Sequence, residues 1–147
     1  MLGEVFVSYK EWKDEDGCIH KEWRNDAGEL HREDGPAEIH YYYEGPIRLE
    51  AFFVSNKLHR KDGAAVIFYY WHGVIRKEEF WMAGKFHRED GPAATIYCGD
   101  GSIDSEEFYF KGELLFYDEE GFWNLWEKLN EEQRQHPNIL KCLARHS

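Results

Sequence analysis

Three copies of one short segment bring histidine, arginine and aspartate side chains together, and these residues have the clearest potential chemistry in the chain. The copies are Leu30–Ala37 (LHREDGPA), Leu58–Ala65 (LHRKDGAA) and Phe86–Ala93 (FHREDGPA), and each begins 28 residues after the one before. Histidine is a common zinc ligand, and arginine can pair with a carboxylate through two parallel hydrogen bonds. The two chemistries to weigh are therefore a metal site and an array of ion pairs.

The three histidines, His31, His59 and His87, are expected to lie too far apart to share one metal ion. If each unit contributes two strands separated by about 4.7–4.9 Å, equivalent residues are roughly 9–10 Å apart. A zinc ion reaches its nitrogen ligands at about 2.0–2.1 Å. We therefore predict no metal and no cofactor, and expect each histidine to hydrogen-bond to nearby backbone.

Each copy also places an aspartate two residues after an arginine. The pairs are Arg32 with Asp34, Arg60 with Asp62, and Arg88 with Asp90. Such pairs could form a recognition array or could clamp the loop that contains them. Because the pattern repeats identically, which binding sites rarely do, it favours the clamp.

A column of glutamates recurs in the same register: Glu22, Glu50, Glu78 and Glu106. General acid/base catalysis needs two carboxylates in different environments, and identical repeats do not provide them. The column indicates an acidic ladder, either simply solvated or used to dock lysine and arginine side chains. The protein is predicted not to be an enzyme; the alternative, a polar cluster around His136 and Cys142, has no supporting pattern.

The elements that must position these residues are β-hairpins. Runs of β-branched and aromatic residues flank glycine turns, and this is typical of hairpin strands. The predicted strand pairs are 37–42 with 47–54, 65–70 with 75–82, and 93–98 with 103–110. The predicted fold is mainly β, an antiparallel β-hairpin repeat meander of about four units with a 28-residue period and a C-terminal α-helical cap.

The hydrophobic pattern changes to a helical one near Asp118. The apolar residues Phe122, Trp123, Leu125, Trp126 and Leu129 fall on one helix face. Pro137 is expected to end this helix, and Asn138 to cap a short second one. We predict one domain, 1–147, with a repeat sheet over 1–117 and a helical cap over 118–147 that covers a face or the last edge of the sheet.

The formal net charge of −11 limits the classes of partner. Residues 1–121 carry 14 Lys/Arg against 26 Asp/Glu, so the repeat region would repel nucleic acid and anionic lipid. This predicts a basic protein partner, unless the charge serves only solubility. Three cysteines without a Cys-x-x-Cys pair, and no leader or membrane-spanning run, predict a cytoplasmic protein.

Aromatic side chains make up 17% of the chain, more than two short helices can cover. Some of them are therefore expected to form an exposed binding patch on the acidic and aromatic sheet face. The predicted partner-binding residues are Glu50, Glu78, Glu106, Tyr42, Tyr43, Tyr70, Trp71 and Trp81.

The octet Leu30–Ala37 and its two copies resemble the HRxDGPA-type repeats, a divergent form of MORN repeats found in bacterial and phage proteins, some of them antitoxin-like. The resemblance covers roughly Gly17 to Gly112, and the middle copy departs from it at Ala64. It implies a β-hairpin repeat that serves as an interaction scaffold, in a bacterial cell or a phage-infected host cell.

Two functions follow as predictions. The first is a non-catalytic protein-binding repeat module that uses its acidic and aromatic sheet face. The alternative is a phage-encoded or antitoxin-like inhibitor that binds a host nucleic-acid enzyme as an acidic phosphate mimic. A homodimer through the open sheet edge is a further expectation, because an unpaired strand can accept another strand.

Overall fold

The computed structural model describes residues 6–110, 113–114 and 119–146 of the chain. It contains fourteen strands and three helices within these ranges. In chain order they are β1 (Ser8–Lys13), β2 (Ile19–Arg24), β3 (Glu38–Tyr41), β4 (Ile47–Ala51), β5 (Phe53–Val54), β6 (Lys57–Leu58), β7 (Val66–Tyr69), β8 (Ile75–Glu79), β9 (Trp81–Met82), β10 (Lys85–Phe86), β11 (Ala94–Tyr97), β12 (Ile103–Glu107), β13 (Tyr109–Phe110), β14 (Glu113–Leu114), α1 (Glu119–Lys128), α2 (Glu131–Arg134) and α3 (Pro137–His146).

The main sheet is a meander of eight antiparallel strands. Its order is β1-β2-β3-β4-β7-β8-β11-β12, so each strand lies beside the sheet strands that precede and follow it in the sequence. The mainly β, antiparallel hairpin fold with C-terminal helices is thus confirmed. None of the helices in the described ranges is long and apolar enough to span a bilayer.

The hairpins of the second, third and fourth units share one register. Their strands pair Tyr41 with Ile47, Tyr69 with Ile75, and Tyr97 with Ile103, each after one bulged residue. The first hairpin pairs without this shift. As a result Lys21, and not Glu22, holds in the first unit the position that Glu50 holds in the second, so placing Glu22 in the glutamate column was wrong.

The second strand of each predicted hairpin is shorter than expected. The chain leaves the main sheet after Ala51, and Phe53–Val54 then pairs with Lys57–Leu58 in a separate two-stranded hairpin. Its turn residues Ser55 and Asn56 have φ of 47° and 65°, the left-handed region that tight two-residue hairpin turns require. Each of the predicted strands 47–54, 75–82 and 103–110 is therefore two strands in the structure, one in the main sheet and one in a short hairpin.

The centre of the repeat region is built from small side chains. The alanines that end the triplicate segments, Ala37, Ala65 and Ala93, have no exposed surface, and Ala51, Ala64 and Ala94 beside them are also buried. The backbone of each segment hydrogen-bonds to the strand that follows: the N–H of Ala65 donates to the carbonyl of Glu79. A larger side chain at these positions would separate the loop from the sheet, since a packed interior has little spare volume.

The C-terminal cap contains three helices, not the two expected. Asn130 caps α2, because its side-chain oxygen accepts the N–H of Gln133. Pro137 is the first residue of α3, where its missing N–H leaves no unsatisfied donor. The predictions that Pro137 ends a helix and that Asn138 is an N-cap were therefore wrong.

The cap packs on the last unit. Its apolar side chains bury Phe108 in a cluster with Phe122, Leu129, Ile139 and Cys142. Asn138 is fully buried, and its side-chain nitrogen donates to the backbone carbonyls of Arg88 at 2.6 Å and Tyr109 at 2.8 Å. The cap thus packs on β13, in the last of the two-stranded hairpins. Ile103 to Ser105 of β12 in the main sheet remain exposed.

Candidate interaction site

The arginine of each triplicate segment binds its own loop. Arg60 donates from Nε to Asp62 at 3.2 Å and from Nη1 to the carbonyl of Ala64 at 3.0 Å. Its guanidinium also stacks 4.0 Å above the ring of Phe52. A Cβ at Gly63 would lie 3.0 Å from the guanidinium carbon, which explains the glycine there.

The same contacts recur in the other two loops. The Nε-to-carboxylate distances are 2.9 Å for Arg32 with Asp34 and 3.3 Å for Arg88 with Asp90. The hydrogen bond from Arg32 also holds the pKa of the Asp34 carboxyl below its usual value. The clamp interpretation is confirmed: each arginine uses two of its N–H donors, one from Nε and one from Nη1, within its own loop.

The histidines of the first two loops link neighbouring units. Nδ1 of His31 accepts the backbone N–H of Ser55 at 3.0 Å, and Nδ1 of His59 accepts that of Ala83 at the same distance. Both therefore bind backbone, as predicted. Within the described ranges, no group of three or more His, Cys, Asp or Glu side chains is arranged to hold a metal ion.

The glutamates at the Glu50 and Glu78 positions accept hydrogen bonds from tyrosines of the following unit. Tyr69 donates to Glu50 at 2.6 Å, and Tyr97 donates to Glu78 at 2.7 Å. Burial, reinforced by the hydrogen bond to Glu78, raises the pKa of the Tyr97 phenol to about 12. These two carboxylates are therefore half-buried and tied into the sheet, and Glu106 is likewise half-buried.

The predicted aromatic residues Tyr42, Tyr43, Tyr70 and Trp71 all lie in the turns of the main-sheet hairpins. The hydroxyl of Tyr42 donates to the carbonyl of Tyr69 at 2.6 Å, and that of Tyr70 donates to the carbonyl of Tyr97 at 2.8 Å. Tyr42 and Tyr70 are half-buried. They connect adjacent turns and are structural.

Tyr43 and Trp71 are different, because both are more than half exposed, at 56% and 55%. Each ring rests on the glycine of the preceding turn. A Cβ at Gly45 would lie 2.4 Å from Trp71, and one at Gly17 would lie 2.9 Å from Tyr43. Trp71 also makes an edge contact with Tyr42, with ring centroids 5.3 Å apart. We call the pair Tyr43 and Trp71 the turn ridge.

Acidic residues flank the turn ridge at both ends. Glu15 lies in the turn before that of Tyr43, at the equivalent position 28 residues earlier. Asp100 lies in the turn after that of Trp71. Both are exposed. Glu44, beside Tyr43, is also exposed and has a positive φ of 44°, an uncommon backbone conformation for a residue other than glycine.

The eighth predicted residue, Trp81, lies away from the ridge. Its ring stacks on Phe86 at 3.9 Å, and its Nε1 donates to Glu79 at 3.1 Å. Of the eight predicted residues, only Tyr43 and Trp71 are exposed. The signal that singles them out is their position next to turn glycines, which an aromatic count does not reveal.

The structure also exposes apolar residues that the sequence reasoning missed. Phe6, Tyr9 and Ile103 are 69%, 52% and 55% exposed. Tyr9 lies in β1 and Ile103 in β12, the two edge strands of the main sheet. Their positions at the two ends of the sheet explain the exposure, because no further strand in the described ranges pairs beyond β1 or β12.

A groove of about 710 Å³ lies between the first two triplicate loops, with Phe52 and Val54 among its lining residues. Its charged lining residues balance: Arg32, Arg60 and Lys61 against Glu33, Asp34 and Asp62. Both arginines are engaged in their loop clamps. The groove therefore offers no strong preference for an anion or a cation.

Comparisons with protein-family models, curated proteins and solved structures gave no match for this chain.

Proposed function

We propose that this protein is a non-catalytic, protein-binding repeat module, built from about four 28-residue units and a helical cap, that docks its partner on the turn ridge. The observation that carries the proposal is that Tyr43 and Trp71 are exposed and yet held in place. Each is more than half exposed, yet each ring is seated on a turn glycine. Large aromatic side chains that are already ordered lose little conformational entropy on binding, which is why they are frequent energetic centres of interfaces.

The turn ridge supports docking better than the glutamate column does. Glu50 and Glu78 already accept hydrogen bonds from Tyr69 and Tyr97, so a lysine or arginine of a partner would compete with these contacts. Nothing comparable occupies the exposed faces of Tyr43 and Trp71 in the described part of the chain. We therefore place the aromatic contribution at the turns.

The negative charge of the protein predicts a positively charged partner. The net charge is −11, and the ridge is flanked by Glu15, Glu44 and Asp100. A basic segment would be drawn to this surface and oriented on it, with an effect mainly on the association rate. The three cysteines, all in the described part of the chain, form no disulfide, which fits a reducing compartment such as the cytoplasm.

The phosphate-mimic alternative has less support at the residue level. A mimic of a nucleic-acid backbone needs a run of uncompensated carboxylates, whereas Asp34, Asp62 and Asp90 each have an arginine bound to them. The two functions also differ in salt dependence. Binding through many charges weakens strongly with salt, and aromatic docking does not.

An affinity capture experiment tests the proposal. Wild-type protein, Tyr43→Ala, Trp71→Ala and the control Phe6→Ala are used as baits at about 100 mM and about 500 mM salt, with nuclease present, because the higher salt screens exposed charges almost completely. Phe6 is a matched control, since it is an exposed aromatic residue outside the turns. Circular dichroism and urea unfolding confirm that all baits are folded.

We expect a partner that the wild type and Phe6→Ala retain at the higher salt, and that both ridge variants lose. A partner held only at the lower salt, and displaced by added DNA or RNA when the capture is repeated without nuclease, would replace the proposal with the phosphate mimic. A partner retained equally by all four baits would remove the turn ridge from the function.

A further inference from the structure

We infer that the turn ridge binds a proline-rich segment in the polyproline II conformation, with a basic residue on each side of two prolines three residues apart. This inference rests on the proposed function and names the chemistry of the partner. It comes from three properties of the ridge: its spacing, its hydrogen-bond donors and the charges at its ends.

The spacing follows from the sheet. Successive main-sheet turns are two strands apart, which corresponds to about 9–10 Å at 4.7–4.9 Å per strand. Tyr43 and Trp71 occupy equivalent places in successive turns, each on the glycine of the turn before. A polyproline II helix advances about 3.1 Å per residue with three residues per turn, so its same face returns after about 9.3 Å. Prolines three residues apart therefore match the two rings.

The donors favour a ligand with solvated backbone carbonyls. In the described part of the chain, no acceptor is bound to the indole N–H of Trp71, and the hydroxyl of Tyr43 has no partner. The hydroxyls of the neighbouring Tyr42 and Tyr70 instead donate to backbone carbonyls within the protein. A polyproline II segment has no internal hydrogen bonds, so its carbonyls can accept from both ridge residues.

Other extended or helical ligands fit less well. In a β-strand, residues three apart point to opposite sides, so only one of them could meet the ridge. In an α-helix, the backbone carbonyls already accept intrahelical N–H groups and point along the helix axis, so they are poorly placed to accept from Trp71 or Tyr43. Aromatic surfaces that bind proline-rich segments exploit the preformed shape of the ligand.

The charges extend the match by one position at each end. Glu15 lies one turn before Tyr43 in the equivalent place, and Asp100 lies one turn after Trp71. Both carboxylates are exposed. A ligand of the form Arg-x-x-Pro-x-x-Pro-x-x-Arg would place its prolines on the ridge and its arginines near these carboxylates.

Fluorescence anisotropy with a synthetic peptide tests the inference. The probe is fluorescein-labelled Arg-Ala-Ala-Pro-Ala-Ala-Pro-Ala-Ala-Arg. A permuted probe, Arg-Ala-Pro-Ala-Ala-Ala-Pro-Ala-Ala-Arg, has the same composition and charge but places its prolines four residues apart. Full-length wild type is compared with Tyr43→Ala, Trp71→Ala, Glu15→Gln and the control Phe6→Ala.

We expect the aligned probe to bind the wild type and Phe6→Ala equally, and to bind each ridge variant at least about tenfold more weakly. Glu15→Gln should weaken binding about twofold to fivefold and reduce its salt dependence. The permuted probe should bind at least about tenfold more weakly than the aligned one. Because Tyr43 and Trp71 lie in different turns, misfolding of one variant leaves the other informative.

Equal affinity for the two probes would overturn the spacing argument and the inference with it. If neither probe binds, while capture of a protein partner still depends on Trp71, the ligand is not a polyproline segment but the proposed function stands. If capture is also independent of Tyr43 and Trp71, both the inference and the proposed function fail.

Discussion

Replacing Tyr69 with phenylalanine removes one hydroxyl at the contact between two repeat units. In the wild type this hydroxyl donates to the Glu50 carboxylate at 2.6 Å, and both side chains are half-buried. The substitution keeps the ring and deletes only the donor. It leaves a carboxylate in a partly buried place without its phenolic partner, so we expect the free energy of unfolding to fall.

The magnitude follows from the chemistry of the contact. A hydrogen bond to a charged group contributes about 1.5–3 kcal/mol net, and the partial exposure of this pair argues for the lower half, about 1.5–2 kcal/mol. Burial and the bond to Glu50 both raise the pKa of the Tyr69 phenol, so the neutral donor persists at ordinary pH. With a urea m-value of about 2 kcal/mol/M, the unfolding midpoint should fall by roughly 0.8–1 M.

The assay is urea unfolding of Tyr69→Phe, Glu50→Met and the double variant, followed by circular dichroism. A double-mutant cycle isolates the coupling between the two side chains, and we expect about 1–2 kcal/mol. Tyr43→Phe is the matched control. It removes a hydroxyl that has no partner within the described residues, and it should change stability by less than about 0.5 kcal/mol.

A coupling energy below about 0.3 kcal/mol, with Tyr69→Phe no more destabilising than Tyr43→Phe, would refute the reasoning. It would mean that Glu50 is as well solvated without Tyr69 as with it. The glutamate column would then return as a candidate surface for a basic partner.

Three further predictions concern other contacts. The neutral Tyr97 phenol is favoured in the folded state, where its pKa is raised to about 12, so its contribution to stability should be complete below about pH 10 and lost as pH rises towards about 12. Between about pH 10 and about pH 12, the urea unfolding midpoint should therefore fall less for Tyr97→Phe than for the wild type. Gly45→Ala should displace Trp71, because the new Cβ would lie 2.4 Å from its ring. We expect a loss of about 1–3 kcal/mol and a changed near-UV circular dichroism spectrum. Asn138→Ala removes two side-chain hydrogen bonds that anchor α3 to the last unit. The free energy of unfolding should fall by about 2–3 kcal/mol. The amide hydrogens of α3 should then exchange with solvent faster than those of the main sheet.

Much of the fold was predictable because its signals are local. Alternating apolar residues and turn glycines mark the hairpins, and the helical pattern after Asp118 marks the cap. The arginine clamp was also predictable, since Arg60 and Asp62 are two residues apart and meet within one loop. These features depend on residues that are neighbours in the sequence.

The errors have a common physical origin in small changes of register. The first hairpin lacks the bulged residue of the others, which shifts Lys21 into the place assigned to Glu22. The break after Ala51 was missed because a run of strand-forming residues continues through Val54. A pattern shows that a residue favours a strand, but not which strand it pairs with.

The site shows the same division. The sequence by itself determined that aromatic and acidic residues recur in the hairpins, because composition and spacing are properties of the chain. Only the tertiary structure decided that Glu50 is bound by Tyr69, while Trp71 is seated on Gly45 and remains exposed. These contacts join residues 19 and 26 positions apart, and they form only when successive hairpins lie side by side in the sheet. Exposure is therefore a property of how the units stack, which no single unit contains.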